Sequence, residues 1–312
     1  MEPILPIPGY CVSVWGGSRL TDIRGITPPE GQQYGICREV SAYRNTTSKI
    51  LSGEYAGKTL HELIGLRHGE LLGRDPADQL VRVAYIDARE DLSIQVHPGE
   101  EYASRVENDF EKSESWYILD CDEGAYVVAG TTVTDKEQLR EAAADGTIEQ
   151  YIRKVPVKKG DFVMIPAGML HACGKNMLAL EAGSFGGITY RLYDYGRGRE
   201  LHLEKGFDVL DPALQPEVRH FEPGSRPAAG ASVREAIRHP SFCVDIVDIA
   251  DEWEPENNGI CLSLTAVEGN AVVETAEGRY QMNHTHTVLL PSDRKSCKVK
   301  GNCRILCCWH PF

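Results

Sequence analysis

The sequence lacks the features that place a chain in a membrane or outside the cell. No run of about 18 apolar residues is present, so no membrane-spanning helix is expected. The first ten residues, MEPILPIPGY, show no basic segment followed by a long apolar stretch, so no secretory signal is expected. The ten cysteines include no CxxC pair, which favours reduced thiols. These absences predict a cytoplasmic protein without a membrane partner.

The sequence is also short of positive charge. The formal net charge is −13 at pH 7, which argues against a nucleic-acid partner because nucleic-acid binding relies on neutralising phosphates. An anionic small substrate remains compatible with this charge, because a local group of Arg and Lys can reverse the field inside a cleft.

Short segments of alternating polarity fill most of the chain, for example SWYILDC, GAYVVAG and DFVMIPAG. Such segments, separated by Gly, Pro and Asp, predict a mainly β protein built as a sandwich or barrel. Helical spacing is confined to three segments, residues 57–73, 134–155 and 199–210. Thr134 or Asp135 is the predicted N-cap of the second segment, and Gly146 is expected to divide it into two short helices. We expect these helices to be insertions in a β-barrel.

The composition changes at residues 211–240, which are rich in Pro, Gly and Ala and show no periodicity. We interpret this segment as a linker or surface crossing. It separates a predicted first domain, residues 1–210, from a second, residues 241–312.

A weak internal repeat relates the two predicted domains. DFVMIPAGMLHAC resembles THTVLLPSDRKSC when Pro166 is aligned with Pro291. His171 then falls opposite Ser296, so the second copy lacks the histidine. The repeat predicts two related barrels.

The segment DLSIQVHPGEEY, residues 91–102, reads as a strand with one apolar and one polar face. Alternate side chains of a strand share a face, so the apolar face comprises Leu92, Ile94 and Val96. The other face carries Ser93, Gln95 and His97. A buried amide and imidazole need partners, which a metal or a substrate could supply.

A second segment, GDFVMIPAGMLHACG, has a strand, a Pro-x-Gly turn and then a histidine. The spacing of Gly160, Pro166, Gly168 and His171 resembles the second half of the double motif of the cupin superfamily. The first half of that motif usually has two histidines two residues apart and then a glutamate. Here the matching positions are Gln95, His97 and Glu114.

Together Gln95, His97, Glu114 and His171 offer one amide oxygen, two imidazoles and one carboxylate. This mixed set suits Zn²⁺, and also Fe²⁺, Mn²⁺ or Co²⁺. The second predicted barrel is expected to be metal-free.

Two other groups of polar residues are alternative candidates for metal ligands. His284 and His286 in NHTH have no nearby carboxylate and are interpreted as exposed residues at the start of a strand. His202 and Glu204 lie near a predicted helix start, where packing or capping explains them.

Several longer segments narrow the resemblance. VWGGSRL, DLSIQVHP, ESWYILDCDEGA, LALE and TYRLYDYGR together resemble the type I mannose-6-phosphate isomerases in their short bacterial form. The likeness covers most of residues 10–210 and weakens after 211. It implies a zinc-dependent, tandem-cupin enzyme that interconverts mannose 6-phosphate and fructose 6-phosphate.

The resemblance also implies roles for individual residues. The zinc ligands fall on Gln95, His97, Glu114 and His171. The active-site arginine falls on Arg191, while Lys112 and Ser93 are implied to contact the phosphate or sugar. The chain departs from the family at Arg38, where a tryptophan is usual, and in the glycine-rich loop 183–187.

The chemistry fits these residues. Aldose–ketose isomerisation through an enediol needs an electrophile at the carbonyl oxygen and a base. Arg191 could stabilise the enediolate, or form a structural ion pair with Asp194 or Glu181. A metal-bound water, Glu181, Asp194 and His171 are all candidates for the base. The alternative function is a cupin without isomerase activity, either an iron oxygenase or a sugar-binding protein.

Overall fold

The computed structural model describes residues 1–75, 79–256 and 258–312. Strands dominate this part of the chain and the helices are short, so the predicted mainly β class is confirmed. No helix in these ranges is long and apolar enough to cross a bilayer.

The strands are numbered in chain order: β1 Pro6–Ile7, β2 Gly9–Gly17, β3 Tyr34–Val40, β4 Lys49–Ile50, β5 Arg82–Ala88, β6 Ile94–Val96, β7 Glu114–Cys121, β8 Tyr126–Thr131, β9 Ile152–Pro156, β10 Asp161–Ile165, β11 His171–Cys173, β12 Met177–Gly183, β13 Tyr190–Tyr193, β14 Glu217–His220, β15 Ala231–His239, β16 Phe242–Ile249, β17 Glu252–Trp253, β18 Leu262–Glu268, β19 Ala271–Glu274, β20 Arg279–Met282, β21 Thr287–Leu290, β22 Lys298–Gly301 and β23 Cys303–Trp309. The helices are α1 Arg19–Arg24, α2 Leu60–Leu71, α3 Glu100–Tyr102, α4 Lys136–Asp145 and α5 Leu203–Val209. Short 3₁₀ turns cover Arg44–Thr46 and Ile148–Gln150, and a π turn covers Ala103–Glu107.

The chain forms two compact units, each assembled from separate segments. The central unit comprises Cys11–Ile36 and Tyr85–Phe221. The terminal unit comprises Met1–Tyr10, Cys37–Ala84 and Glu222–Phe312.

These bounds differ from the predicted domains 1–210 and 241–312, because residues 37–84 group with the C-terminal strands. The predicted linker, 211–240, contains both β14 and β15. Most residues of these two strands are at least partly exposed, so they show little of the apolar alternation that marks a strand in a sequence.

The strands of the central unit belong to two sheets. The larger has the strand order β14-β10-β7-β12-β5-β2-β3, and the smaller has the order β13-β6-β11-β8-β9. The rings of Trp116 in β7 and His171 in β11 meet edge to face with centroids 5.7 Å apart, so the inner faces of the two sheets oppose each other. One core cluster joins residues of both sheets, including Trp116, Val163 and Val127.

One helix of the central unit packs on the smaller sheet. Helix α5 packs on β6 and β13, and its Phe207 belongs to the same buried cluster as Ile94 and Val96. The apolar face predicted for the 92–97 strand is therefore core, as expected, and Gln95 lies on the opposite face of β6.

Helix α4 begins at the predicted N-cap, since the Asp135 carboxylate accepts hydrogen bonds from two backbone N–H groups. It ends at Gly146, whose φ of 83° is the left-handed conformation that glycine adopts readily. The second short helix predicted after Gly146 is present only as a single 3₁₀ turn, Ile148–Gln150. It is followed by β9 because Ile152 and the residues after it pair with β8.

The terminal unit also contains two main sheets, with strand orders β15-β16-β23-β18-β21 and β17-β22-β19-β20. Val247, Leu264, Val273 and Val299 belong to its buried core. The strands before and after the proline of the internal repeat lie in different sheets in both units, β10 and β11 in one and β21 and β22 in the other. The sheets of the described chain are open rather than closed barrels.

Candidate metal centre

Three buried side chains converge between the sheets of the central unit. His97 follows β6, Glu114 begins β7 and His171 begins β11, and each is 1% exposed. Their ligand atoms lie within 4.8 Å of one another. The two Nε2 atoms are 3.1 Å apart, and Oε2 and Oε1 of Glu114 lie 3.3 and 3.5 Å from Nε2 of His97 and His171. Among the described residues, this is the group of side chains arranged as a metal site.

The turn before His171 ties the two motif segments together. Gly168 has a φ of 87°, and a Cβ there would lie 3.2 Å from the carbonyl oxygen of Val209. Its N–H donates to the carbonyl of His97 over 2.9 Å. A glycine at this position therefore lets the turn close and fixes His97 beside His171.

Backbone carbonyls orient both imidazoles. Nδ1–H of His97 donates to the carbonyl of Ile188 over 2.9 Å, and Nδ1–H of His171 donates to that of Met169 over 2.8 Å. Each Nε2 therefore carries its lone pair towards the common point. This arrangement fixes tautomer and ring orientation as in metal-bound histidines.

The electrostatics keep the imidazoles neutral and the carboxylate ionised. Burial, and then the Lys112 ammonium, lower the pKa of His97 to about 3, and burial also lowers the pKa of His171. Burial disfavours the charge on Glu114, but the Lys112 ammonium outweighs it and holds the pKa of Glu114 well below its usual range. Neutral imidazoles and an ionised carboxylate are the forms that bind a metal.

The donor set fits a divalent cation. Oε1 of Glu114 is buried and accepts no hydrogen bond within the described ranges. Such an orphaned acceptor costs free energy unless a cation or donor occupies the space in front of it. The Lys112 ammonium contacts the other carboxylate oxygen, Oε2, and donates to His97 Nε2 over 2.7 Å, so Oε1 remains available to a cation.

Gln95 lies beside this group. It pairs with His171 across β6 and β11, and its Nε2 is 3.3 Å from His171 Nε2. Ser93 Oγ lies 3.5 Å from Gln95 Oε1 on the other side. A half-turn of the side-chain amide would exchange the positions of its oxygen and nitrogen and turn the oxygen towards the histidines.

Arg191 is on the same face of the sheet as Gln95, because the two residues are paired across β13 and β6. Its Nη1 donates to the carbonyl of Glu200 over 2.8 Å. Its Nε is buried and has no hydrogen-bond partner in the part of the chain described. Burial, followed by Arg199, lowers the pKa of Arg191. Arg191 thus offers a donor next to the predicted ligand positions.

The remaining predicted residues fall into two groups. Ser93 and Lys112 are buried and contact Gln95, His97 or Glu114 as described above. Glu181, in β12, pairs with Trp116 and so shares the inner face with Glu114.

Asp194 differs from these residues, because its carboxylate is bound by Arg199 and, at 3.7 Å, by Arg197. The alternative ion pair between Arg191 and Asp194 is therefore replaced by ion pairs of Asp194 with Arg199 and Arg197.

The rival histidines bond to the backbone. His284 Nε2 lies 3.0 Å from the carbonyl of Val267, and His286 Nδ1 lies 3.1 Å from that of His284. His202 precedes α5, as predicted, but its ring bonds to Arg191 rather than capping the helix.

Sequence reasoning missed the support that the glycine-rich loop gives to the site. Ser184 Oγ accepts from the N–H of Ser113 and donates to the carbonyl of Glu111, both over 2.9 Å. A Cβ at Gly186 would lie 2.2 Å from the Glu111 carbonyl oxygen. The loop packs along the segment that carries Lys112 and Glu114. The departure of its sequence from the family pattern was the one sign that could have indicated this contact.

Known proteins match the chain over nearly its whole length. Mannose-6-phosphate isomerase ManA of Bacillus subtilis is 41% identical over 311 residues, with 96% of each chain covered. Mannose-6-phosphate isomerase of Streptococcus mutans is 31% identical, with 98% of this chain and 97% of the relative covered. The chain belongs to the type I mannose-6-phosphate isomerase family.

Two further comparisons support membership of this family. The family model for the mannose-6-phosphate isomerase cupin domain matches residues 234–309, which lie in the terminal unit. The crystal structure of the mannose 6-phosphate isomerase from Bacillus subtilis superposes with a TM-score of 0.90 at 30% identity, covering 99% of both chains. The assignment to the cupin superfamily is thereby confirmed.

Proposed function

We propose that this protein is a metal-dependent isomerase that interconverts mannose 6-phosphate and fructose 6-phosphate through an enediol. Relatives that match 96% and 98% of this chain are named mannose-6-phosphate isomerase. The observation that carries the proposal is the buried group of His97, Glu114 and His171, with Gln95 and Arg191 side by side in register next to it.

The metal ligands in this proposal are Gln95, His97, Glu114 and His171. Two imidazoles with two oxygen donors suit Zn²⁺. When bound there, a divalent ion supplies Lewis-acid polarisation of the substrate carbonyl and so makes the neighbouring C–H more acidic.

Arg191 would stabilise the oxyanion of the enediolate. The guanidinium stays cationic and directs donors from one plane, and its buried Nε lacks a partner among the described residues. A donor already in place at a developing negative charge lowers the barrier without a reorganisation cost.

Glu181 is the candidate that we propose for the base. It is half-buried on the inner face of β12, opposite Trp116. A carboxylate can take the proton from one carbon and return it to the next.

Ser93 and Lys112 would hold the substrate. Lys112 is a buried ammonium at the ligand group, and a phosphate or hydroxyl oxygen would replace part of its present contact with His97. Ser93 is buried next to Gln95 and could bond a hydroxyl or the Gln95 amide.

We further propose that each unit is a cupin-type jelly roll. Each has two main sheets, and the repeat around Pro166 and Pro291 sends successive strands to different sheets in both units. In the terminal unit Ser296 replaces the histidine, which supports a single metal centre in the central unit.

A coupled assay tests the proposed function. The zinc-loaded protein should convert mannose 6-phosphate to fructose 6-phosphate, lose this activity with a chelator and regain it with Zn²⁺. Free mannose should be a poor substrate. Binding of mannose 6-phosphate without turnover would indicate a sugar-binding protein, and oxygen consumption would indicate an oxygenase.

A further inference from the structure

Two hydrogen bonds join His202 to the backbone of Arg191. The N–H of Arg191 donates to Nδ1 of His202 over 3.2 Å, and the N–H of His202 donates to the carbonyl of Arg191 over 2.7 Å. One residue thus satisfies both backbone groups of Arg191.

These bonds matter because β13 is an edge strand of the smaller sheet. The N–H and C=O of one strand residue point to the same side, and those of Arg191 point to His202. Arg191 therefore faces Gln95 as a non-hydrogen-bonded pair, the type in which the side chains lie closest. The backbone of Arg191 is held between Gln95 on one side and His202 on the other.

The bond from Arg191 also fixes the state of the His202 ring. Nδ1 accepts, so it carries no proton and the imidazole is neutral. Protonation would turn Nδ1 into a donor that faces the N–H donor of Arg191, and this bond would be lost. His202 lines a cavity of about 720 Å³, through which water reaches the ring.

We propose that neutral His202 is a positioning residue for Arg191 and that its protonation displaces Arg191 and slows the reaction. This inference rests on the proposed function of Arg191. It explains why a histidine occupies the position before α5, where it gives no cap to the helix.

Other charged groups face His202 and are included in the design of the test. Glu200 Oε2 lies 3.9 Å from Nε2 of the ring. Glu107 lines the same cavity, where its carboxylate accepts from Lys205 over 2.6 Å and from the Tyr190 hydroxyl over 2.7 Å. All of these remain in variants at position 202, so a change in pH profile belongs to His202.

Two substitutions distinguish the effect of the hydrogen-bond acceptor at Nδ1 of His202 from the effect of protonating the ring. His202→Asn keeps an acceptor near the position of Nδ1 but does not titrate in this range, whereas His202→Leu removes the acceptor. The control is His220→Leu, since the His220 side chain is also 30% exposed and bonds to Asp161 on another strand.

In the zinc-loaded protein, His202→Leu should lower kcat about tenfold to a hundredfold with unchanged metal content, because a misplaced catalytic group loses rate at this scale. His202→Asn should keep kcat within about threefold at pH 8. It should also lose less activity than the parent as the pH is lowered, because the asparagine side chain takes up no proton. His220→Leu should leave both kcat and the pH profile unchanged.

Amide hydrogen exchange gives a readout that does not depend on isomerase activity. The peptide containing Arg191 should exchange faster in His202→Leu and at the parent rate in His202→Asn at pH 8. The inference would be overturned if the Arg191 peptide exchanged at the parent rate in His202→Leu. It would also be overturned if the parent and His202→Asn lost the same fraction of activity as the pH is lowered. A parent without isomerase activity but with the expected exchange pattern would refute only the proposed function.

Discussion

The Lys112 ammonium donates to Nε2 of His97 over 2.7 Å, at the atom that would bind the metal. The same ammonium contacts the carboxylate of Glu114. Lys112 therefore supplies positive charge to a buried carboxylate, and a divalent ion would use the same acceptor atoms. A bound metal would compete with Lys112 for His97 Nε2 and Glu114. A substrate anion could then replace these groups as the partner of the ammonium.

We expect Lys112→Met to raise KM for mannose 6-phosphate about tenfold to a hundredfold, since a charge-assisted contact to phosphate contributes roughly 1.5–3 kcal/mol. Metal content should change little, because the imidazoles and carboxylate remain. Steady-state kinetics and metal analysis check both points. Lys175→Met, at an exposed lysine, is the control. An unchanged KM would place the phosphate elsewhere.

Loss of a histidine from the centre should remove the metal. We expect His97→Ala and His171→Ala to retain only a small fraction of the bound metal of the parent, because each takes away one of about four ligands. His284→Ala and His286→Ala should retain it, since these rings contact backbone carbonyls. Elemental analysis of the four purified variants distinguishes the sites, and the reverse pattern would move the centre.

Arg191→Lys should bind metal normally yet lose most of its turnover. Lysine keeps the charge but not the planar set of donors, so transition-state stabilisation suffers more than substrate binding. We expect kcat to fall by about two orders of magnitude, the scale on which single oxyanion donors act. A folded Arg191→Ala protein with parental kcat would show instead that the residue has a structural role.

Stability should depend on the ionisation of Asp87. Burial raises the pKa of Asp87 to about 6, although the N–H of Leu20 donates to its Oδ2 over 2.8 Å. Because the folded-state pKa is raised, the stability gained from the protonated form is complete below about pH 4 and is lost as the pH rises through 6.

Asp87→Asn keeps an acceptor for Leu20 and cannot ionise. Its free energy of unfolding relative to the parent should therefore increase by about 2–3 kcal/mol between pH 4 and pH 7.5. Urea unfolding at a series of pH values measures this, with the exposed Glu30→Gln as control. A pH-independent difference between the variant and the parent would contradict the role of Asp87.

The close approach at Gly186 gives a further test of the loop beside the centre. A methyl group there would meet the carbonyl oxygens of Glu111 and Phe110 at 2.2 and 2.3 Å. Gly186→Ala should cost about 1–3 kcal/mol, as overpacking does, and weaken metal binding by shifting Glu114. Gly99→Ala, with open space around its Cβ position, should leave stability within about 0.5 kcal/mol. Thermal unfolding and metal titration of both variants decide the point.

The sequence predicts the mainly β class and the convergence of the motif residues because both depend on local patterns. Alternation along residues 92–97 separates core from polar side chains, and the turn at Gly168 fixes where His171 begins its strand. The carbonyl partner of His97, in contrast, cannot be predicted from a local pattern. Ile188 is 91 residues from His97 in the chain, and only the folded sheet brings them together.

The segments that make up each unit could not be predicted from local patterns for the same reason. Residues 37–84 join the C-terminal strands through pairings between distant segments, such as the donation from Ser292 N–H to the carbonyl of Leu71. Such pairings leave no periodic signal in either segment, since each strand reads alike whichever partner it has.

The composite terminal unit has a consequence for the order of events during synthesis. The N–H of Ile4 donates to the carbonyl of Leu289, and that of Leu289 donates back, each over 2.9 Å. The central unit has all its residues once the chain reaches Phe221, whereas the first segment of the terminal unit must wait for nearly the whole chain to leave the ribosome. All residues of the candidate metal centre can thus be in place while Ile4 still lacks its partner, Leu289.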